Sequence, residues 1–99
     1  MSIIPVFGEK ELTKACLLLG FIVLEDRGKG GHKLAKHPIR KPKNPRQYEH
    51  ITIPTAREYH SLDFRSDIIN EIMEFGFSKE QVVAGLKGKK KILKRLFKQ

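Results

Sequence analysis

With 99 residues, an apolar fraction of 39% and a formal net charge of +9, the chain is sized for one domain around a single modest core and is too apolar for a disordered polymer. No apolar run approaches the roughly 20 residues needed to cross a bilayer. The N-terminus has no secretory-signal pattern and the lone Cys16 has no partner for an internal disulfide, so a reducing, cytoplasmic setting is expected.

The elements follow in chain order. Residues 2–8 read as an extended lead-in. Residues 9–19 predict a helix: Glu9 and Glu11 suit its positive end, and Leu12, Ala15, Cys16 and Leu19 recur at helical spacing as an apolar stripe. Gly20 is the stop, and Cys16 on the stripe reads as a small core residue. Residues 21–25 are rich in β-branched and aromatic side chains and predict a strand. A glycine-rich hairpin loop over 26–31 leads to a returning strand over 32–36, stopped by Pro38. In that strand His32, Leu34 and Lys36 share one face, and Lys33 and Ala35 the other. Residues 38–48 form a long basic loop with Pro38, Pro42 and Pro45. A third strand over 49–53 sets Ile51 and Ile53 on one face and His50 and Thr52 on the other.

After an irregular connection, residues 63–75 predict a second helix, with Phe64, Ile68, Ile72 and Phe75 as its core stripe, broadened by Ile69 and Met73. Gly76 ends it and Phe77 packs back over the end. Ser78 and Gln81 make a capping box for a short helix carrying Val82, Val83 and Leu86. The segment from Lys89 to Phe97 can form a helix with Ile92, Leu93, Leu96 and Phe97 on one side. The expected fold is α+β: a two-layer sandwich in the order α-β-β-β-α, with a three-stranded antiparallel sheet, two helices on one face, a short C-terminal helix and a basic tail. Residues 1–86 make one domain and 87–99 the tail. The other face of the sheet is left open to a ligand.

Charge and chemistry converge on 27–38. From Arg27 to Arg46 there are eight Lys or Arg and no acid, and 87–99 holds seven, again with none. Such blocks point to nucleic acid; an acidic protein or a lipid surface are the other anionic partners they fit. Clustered glycines let a backbone approach a ligand closely. His32, where that loop meets the strand, changes charge near neutral pH and suits a general acid or base acting on a phosphate ester. The backbone of Gly30 and Gly31 and the side chains of Lys29, Lys33, Lys36, Arg40, Lys41, Lys43 and Arg46 are candidate phosphate contacts. His50 is a candidate supporting residue on the open face. His37 closes the strand, and His60 reads as exposed and inert. Tyr48 and Tyr59 are the aromatics best placed to stack on unpaired bases. Carboxylates are scattered and the histidines do not fall at a zinc spacing, so no metal site and no cofactor are expected.

The run Pro5-Val6-Phe7-Gly8-Glu9-Lys10-Glu11-Leu12, the helix ending in Gly20-Phe21, the Gly30-Gly31-His32 turn, His37-Pro38, the strand Ile51-Thr52-Ile53-Pro54, and Phe64-Arg65-Ser66-Asp67-Ile68-Ile69 ahead of Phe75-Gly76-Phe77-Ser78 together resemble the HicA-type toxins, small mRNA interferases paired with a HicB-type antitoxin. The resemblance covers about residues 5–86. It implies a fold like that of double-stranded-RNA-binding domains, endoribonuclease activity on mRNA, an antitoxin partner, and a catalytic role for His32, the histidine of the family's Gly-Ser-His signature. Gly31 stands here at the serine position, the loop over 39–48 is longer and more basic than the family's short hairpin, and the polybasic tail is additional. The protein is then a monomer or a hetero-complex with the antitoxin. A non-catalytic RNA-binding module of the same fold, and an interaction protein whose basic surface meets an acidic partner, are the alternative readings.

Overall fold

The computed structural model describes residues 4–24 and 32–98. Its elements are α1 (Glu9–Leu18), β1 (Ile22–Leu24), β2 (Lys33–Lys36), β3 (His50–Ile53), α2 (Leu62–Met73), α3 (Lys79–Leu86) and α4 (Lys90–Phe97).

Helix starts and stops follow local chemistry. The Gly8 N–H donates to Glu11 Oε1 at 2.9 Å at the start of α1. At its end Gly20 adopts φ +93°, which lets Phe21 N–H reach the Cys16 carbonyl at 2.9 Å and Gly20 N–H the Leu17 carbonyl at 3.1 Å, satisfying carbonyls the helix leaves unpaired. Ser61 Oγ caps α2 through Phe64 N–H. Ser78 and Gln81 cap α3 reciprocally, at 3.1 and 2.8 Å, as the sequence predicts.

The strands form an antiparallel sheet in the order β1-β2-β3. The register sets Ile22 opposite Lys36 and Lys36 opposite His50; Val23 opposite Ala35 and Ala35 opposite Ile51; Leu24 opposite Leu34 and Leu34 opposite Thr52; and Lys33 opposite Ile53. Because faces alternate along a strand, Ala35, Ile51 and Ile53 turn inward and are buried with Leu12, Ala15, Cys16, Ile68, Ile69 and Ile72 of α1 and α2. Ile22, Lys36 and Thr52 on the opposite face are exposed. Cys16 is fully enclosed and burial pushes its thiol up to about 12, so it is an inert core residue.

The architecture is α+β, with a three-stranded antiparallel sheet and four helices among the described residues: the two expected on one face, the expected short helix after them, and the segment over 90–97. α3 packs on both α1 and α2, and α4 packs on α3. The basic C-terminal segment thus contributes to the core through Leu93, which is buried.

Two expected core and surface roles are exchanged. Phe64 is 40% exposed, its ring set edge-on against Tyr59 at 5.4 Å. Arg65 is buried instead, 8% exposed, because Nη1 donates to the carbonyls of Tyr59 and His60 in the turn before α2. Burying a charge is tolerable when it is hydrogen-bonded in this way. Tyr59, expected to be a stacking residue, belongs to the core: its hydroxyl donates to the Pro54 carbonyl at 2.7 Å, and burial, with Glu9, Cys16 and Glu11 adding to it, pushes its pKa well above the ordinary value.

Candidate nucleic-acid interface

Strand alternation carries the open face of the sheet. His32, the residue before β2, is half-buried, and its Nδ1 accepts from the Thr55 N–H at 3.3 Å. Thr55 follows β3, so the turn after the third strand holds the histidine at the end of the second. With Nδ1 accepting, the neutral ring carries its proton on Nε2. Thr55 escaped the sequence reading because its contribution is a backbone N–H, which no side-chain pattern marks.

At the other end of β2, Lys36 is exposed and lies opposite His50. The His50 ring stacks under Tyr48 at 5.4 Å with an interplanar angle of 17°, and Tyr48 is 77% exposed. A cavity of about 330 Å³ opens beside this pair, lined by Lys36, His37, Arg40, Lys41, Glu49 and His50. His32 and Lys36 are four residues apart on an extended strand, which separates His32 from His50 by about 13 Å. The two histidines are too far apart to act on one phosphate, since proton transfer needs hydrogen-bond reach. His50 can support binding but not the same proton-transfer step.

The remaining basic candidates divide by placement. Lys33 turns to the helix side of the sheet, where Nζ lies 3.1 Å from Glu9 Oε2. Arg40 is drawn to the end of α2: Nη1 donates to the carbonyls of Phe75 (3.4 Å) and Gly76 (3.2 Å), and the guanidinium sits 4.4 Å over the Phe77 ring. Cations are stabilised at a helix C-terminus and over an aromatic face. Lys43 N–H donates to the Glu74 carbonyl, Asn44 N–H to Glu74 Oε1, and Gln47 Nε2 to the Glu71 carbonyl. The long basic loop is thereby pinned along the last turns of α2, with the Lys43 and Arg46 side chains exposed. Lys41 Nζ stands 3.7 Å from Glu49 Oε1, both well exposed, a pairing of small energetic weight. Lys29, Gly30 and Gly31 lie outside the described residues.

His37 is structural. Nε2 donates to the Leu19 carbonyl at 3.2 Å, while Nδ1 accepts from the N–H groups of Ile39 (3.2 Å) and Arg40 (2.9 Å), and the ring packs edge-on to Phe21 at 5.0 Å. Protonating Nδ1 would turn an acceptor toward two donors. Burial lowers the pKa below the ordinary 6.5; the bond to Leu19 opposes the shift and the Arg40 charge adds to it. The unfolded chain then binds this proton more readily than the folded one, so stability rises with pH across the window. The contribution of His37 is complete above about 6.5 and is lost as pH falls through its lowered folded value. Urea midpoints measured at pH 7.5 and 5.5 are expected to fall for the parent chain, and to fall less for His37→Gln, which starts from a lower midpoint. Equal falls in the two proteins would assign the acid sensitivity elsewhere.

A second depression of about 530 Å³, lined by Glu9, Lys10, Glu11, Lys33 and Arg57 among others, carries both signs of charge and is poorly suited to a polyanion. Among the described residues no three His, Cys, Asp or Glu side chains gather at a metal-binding spacing, and no helix is long and apolar enough to cross a membrane. No protein-family model matches the chain, and no curated protein or solved structure matches it.

Proposed function

We propose that this chain is an endoribonuclease of the HicA type, with a fold like that of double-stranded-RNA-binding domains, acting on mRNA in the cytoplasm and held in check by a HicB-type antitoxin. The observation that carries the reading is the open sheet face. Helices cover one side of the sheet, while the other side presents His32, Lys36 and the Tyr48–His50 stack, and none of its described strand residues is acidic. That surface suits a single strand of RNA, with phosphates met by cations and a base able to continue the aromatic stack, an interaction of roughly 1–3 kcal/mol per base.

RNA brings its own nucleophile, the 2′-hydroxyl beside the scissile phosphate. Cleavage requires removal of that proton, stabilisation of charge on the phosphoryl oxygens, and a proton for the departing 5′-oxygen. His32 handles both protons: Nδ1, released by the Thr55 N–H, takes the 2′-hydroxyl proton, and Nε2 gives its own to the departing 5′-oxygen, which returns a neutral ring, while lysines supply the electrostatic stabilisation. The scheme asks for no metal ion or cofactor. The Thr55 bond fixes the ring orientation, and at 3.3 Å it is long for a hydrogen bond, so the ring can give it up when Nδ1 takes a proton.

That same bond favours a second reading. A His32 ring kept with its proton on Nε2 is a fixed donor to a phosphoryl oxygen, and the protein is then an RNA-binding module without turnover. End-group analysis separates the two. Incubation with a long single-stranded RNA in chelator is expected to yield fragments with 2′,3′-cyclic phosphate and 5′-hydroxyl ends. Fragments with 5′-phosphate ends would overturn the chemistry, and binding without fragments would select the second reading.

A further inference from the structure

α4 carries Lys90, Lys91, Lys94 and Arg95 within eight residues, Lys98 follows, and all five side chains are exposed. Lys14 of α1 extends the same patch: its Nζ lies 3.2 Å from where a Cβ on Gly88 would stand, at the turn into α4. Among the described residues none of these cations meets a carboxylate within 4 Å. The first turn of α4 holds Lys90 and Lys91 and no acid, and its N-cap Lys89 makes no side-chain capping bond. Cations there oppose the helix dipole, so the helix is held by packing and not by its own electrostatics.

The apolar side of α4 is partly occupied, with Ile92 and Phe97 left 41% and 42% exposed. Leu93 is 4% exposed and Leu96 packs against the core, and Phe97 meets Phe77 edge-on at 6.0 Å. Phe77 in turn lies under Arg40, which joins α4 to the basic loop beside the open sheet face. Insertion into a bilayer needs a wide free apolar face; with Leu93 and Leu96 packed inward, only the part-exposed Ile92 and Phe97 are left to supply one. Most of the outward side is a row of cations about 12 Å long, suited to a phosphate backbone.

Resting on the proposed RNA-binding function, we infer that α4 is a second nucleic-acid contact, separate from His32, whose exposed cations hold the phosphate backbone of an RNA strand. The contact sets affinity and salt dependence and leaves the chemistry at His32 untouched.

The test is fluorescence anisotropy with a labelled single-stranded RNA of about 20 nucleotides, titrated at several salt concentrations. For a single strand, each lysine–phosphate pair contributes about 0.7 to the slope of log K against log salt. Lys90→Gln/Lys91→Gln/Lys94→Gln is expected to reduce the slope by about 2 and to weaken binding at least tenfold at 0.1 M salt. A second variant, Lys90→Glu/Lys91→Glu, is expected to raise the thermal midpoint, because acids suit the first turn, while weakening RNA binding further. That opposition cannot come from unfolding. A slope and affinity equal to the parent's overturn the inference and leave the ribonuclease reading in place. No RNA binding by the parent chain overturns both. Binding to phosphatidylserine vesicles that these variants abolish, with RNA binding intact, overturns the inference in favour of a membrane contact.

Discussion

Gly8→Ala is expected to cost the fold about 3 kcal/mol or more, a large part of the roughly 5–15 kcal/mol that holds a domain together. Gly8 is not in a left-handed conformation; the problem is space. A Cβ there would run into the Arg57 carbonyl and stand 2.8 Å from Glu58 N. The neighbouring backbones are clamped together on both sides, by Glu9 N–H to the Ala56 carbonyl at 2.9 Å and Tyr59 N–H to the Phe7 carbonyl at 2.8 Å, so neither chain can move aside without breaking those bonds. The clamp also holds the segment after β3 that contains Thr55, and through Thr55 it orients His32. Thermal unfolding should register a midpoint lower by on the order of 15 °C, with RNA cleavage declining alongside. A loss below 1 kcal/mol would mean that the two segments are not held together as described.

His32→Ala is expected to lower the turnover rate by roughly 10²–10⁴-fold, the range typical of a positioned acid or base, while RNA affinity changes by less than about threefold, since phosphate contacts by cations dominate binding. The side chain is half-buried at the end of a strand and its hydrogen bond from Thr55 N–H is long, so the fold should survive and the thermal midpoint should move by only a few degrees. Steady-state kinetics divide the roles: a fall in kcat at unchanged KM marks an interaction made in the transition state, whereas a rise in KM at unchanged kcat would reduce His32 to a binding residue.

Much of the scaffold was legible because it depends on periodicity and local caps. The alternation in β2 and β3 separates Ala35, Ile51 and Ile53 from Lys36, His50 and Thr52, and Gly20 and the Ser78–Gln81 pair mark helix ends through chemistry that acts within a few residues. What was not legible depends on carbonyls brought together by the fold. Helical spacing puts Phe64 in line with Ile68 and Ile72, but the turn before α2 offers the Tyr59 and His60 carbonyls, and the guanidinium of Arg65 takes the inner position. Arg40 reads as a candidate phosphate contact in a basic loop; the loop lies along α2 and brings it to the Phe75 and Gly76 carbonyls. Gly85 carries no signal of its partner in the sequence; in the fold it faces Ala15, where an added Cβ would come within 3.3 Å of the Ala15 Cβ. At the candidate site, alternation already set Lys33 with Ala35 on the helix side, and its long side chain reaches Glu9 there.

The most direct test of the central claim, that the chain cuts RNA through the RNA's own 2′-hydroxyl with His32 handling the proton, is to give the parent chain and His32→Ala the same single-stranded RNA in unmodified and 2′-O-methyl form, in chelator, scoring binding and cleavage together. The account predicts that both proteins bind both strands and that the parent chain alone cuts, and cuts only the unmodified strand. Cleavage of the methylated strand, equal cleavage by His32→Ala, or binding of both strands with no cleavage by either protein would contradict it.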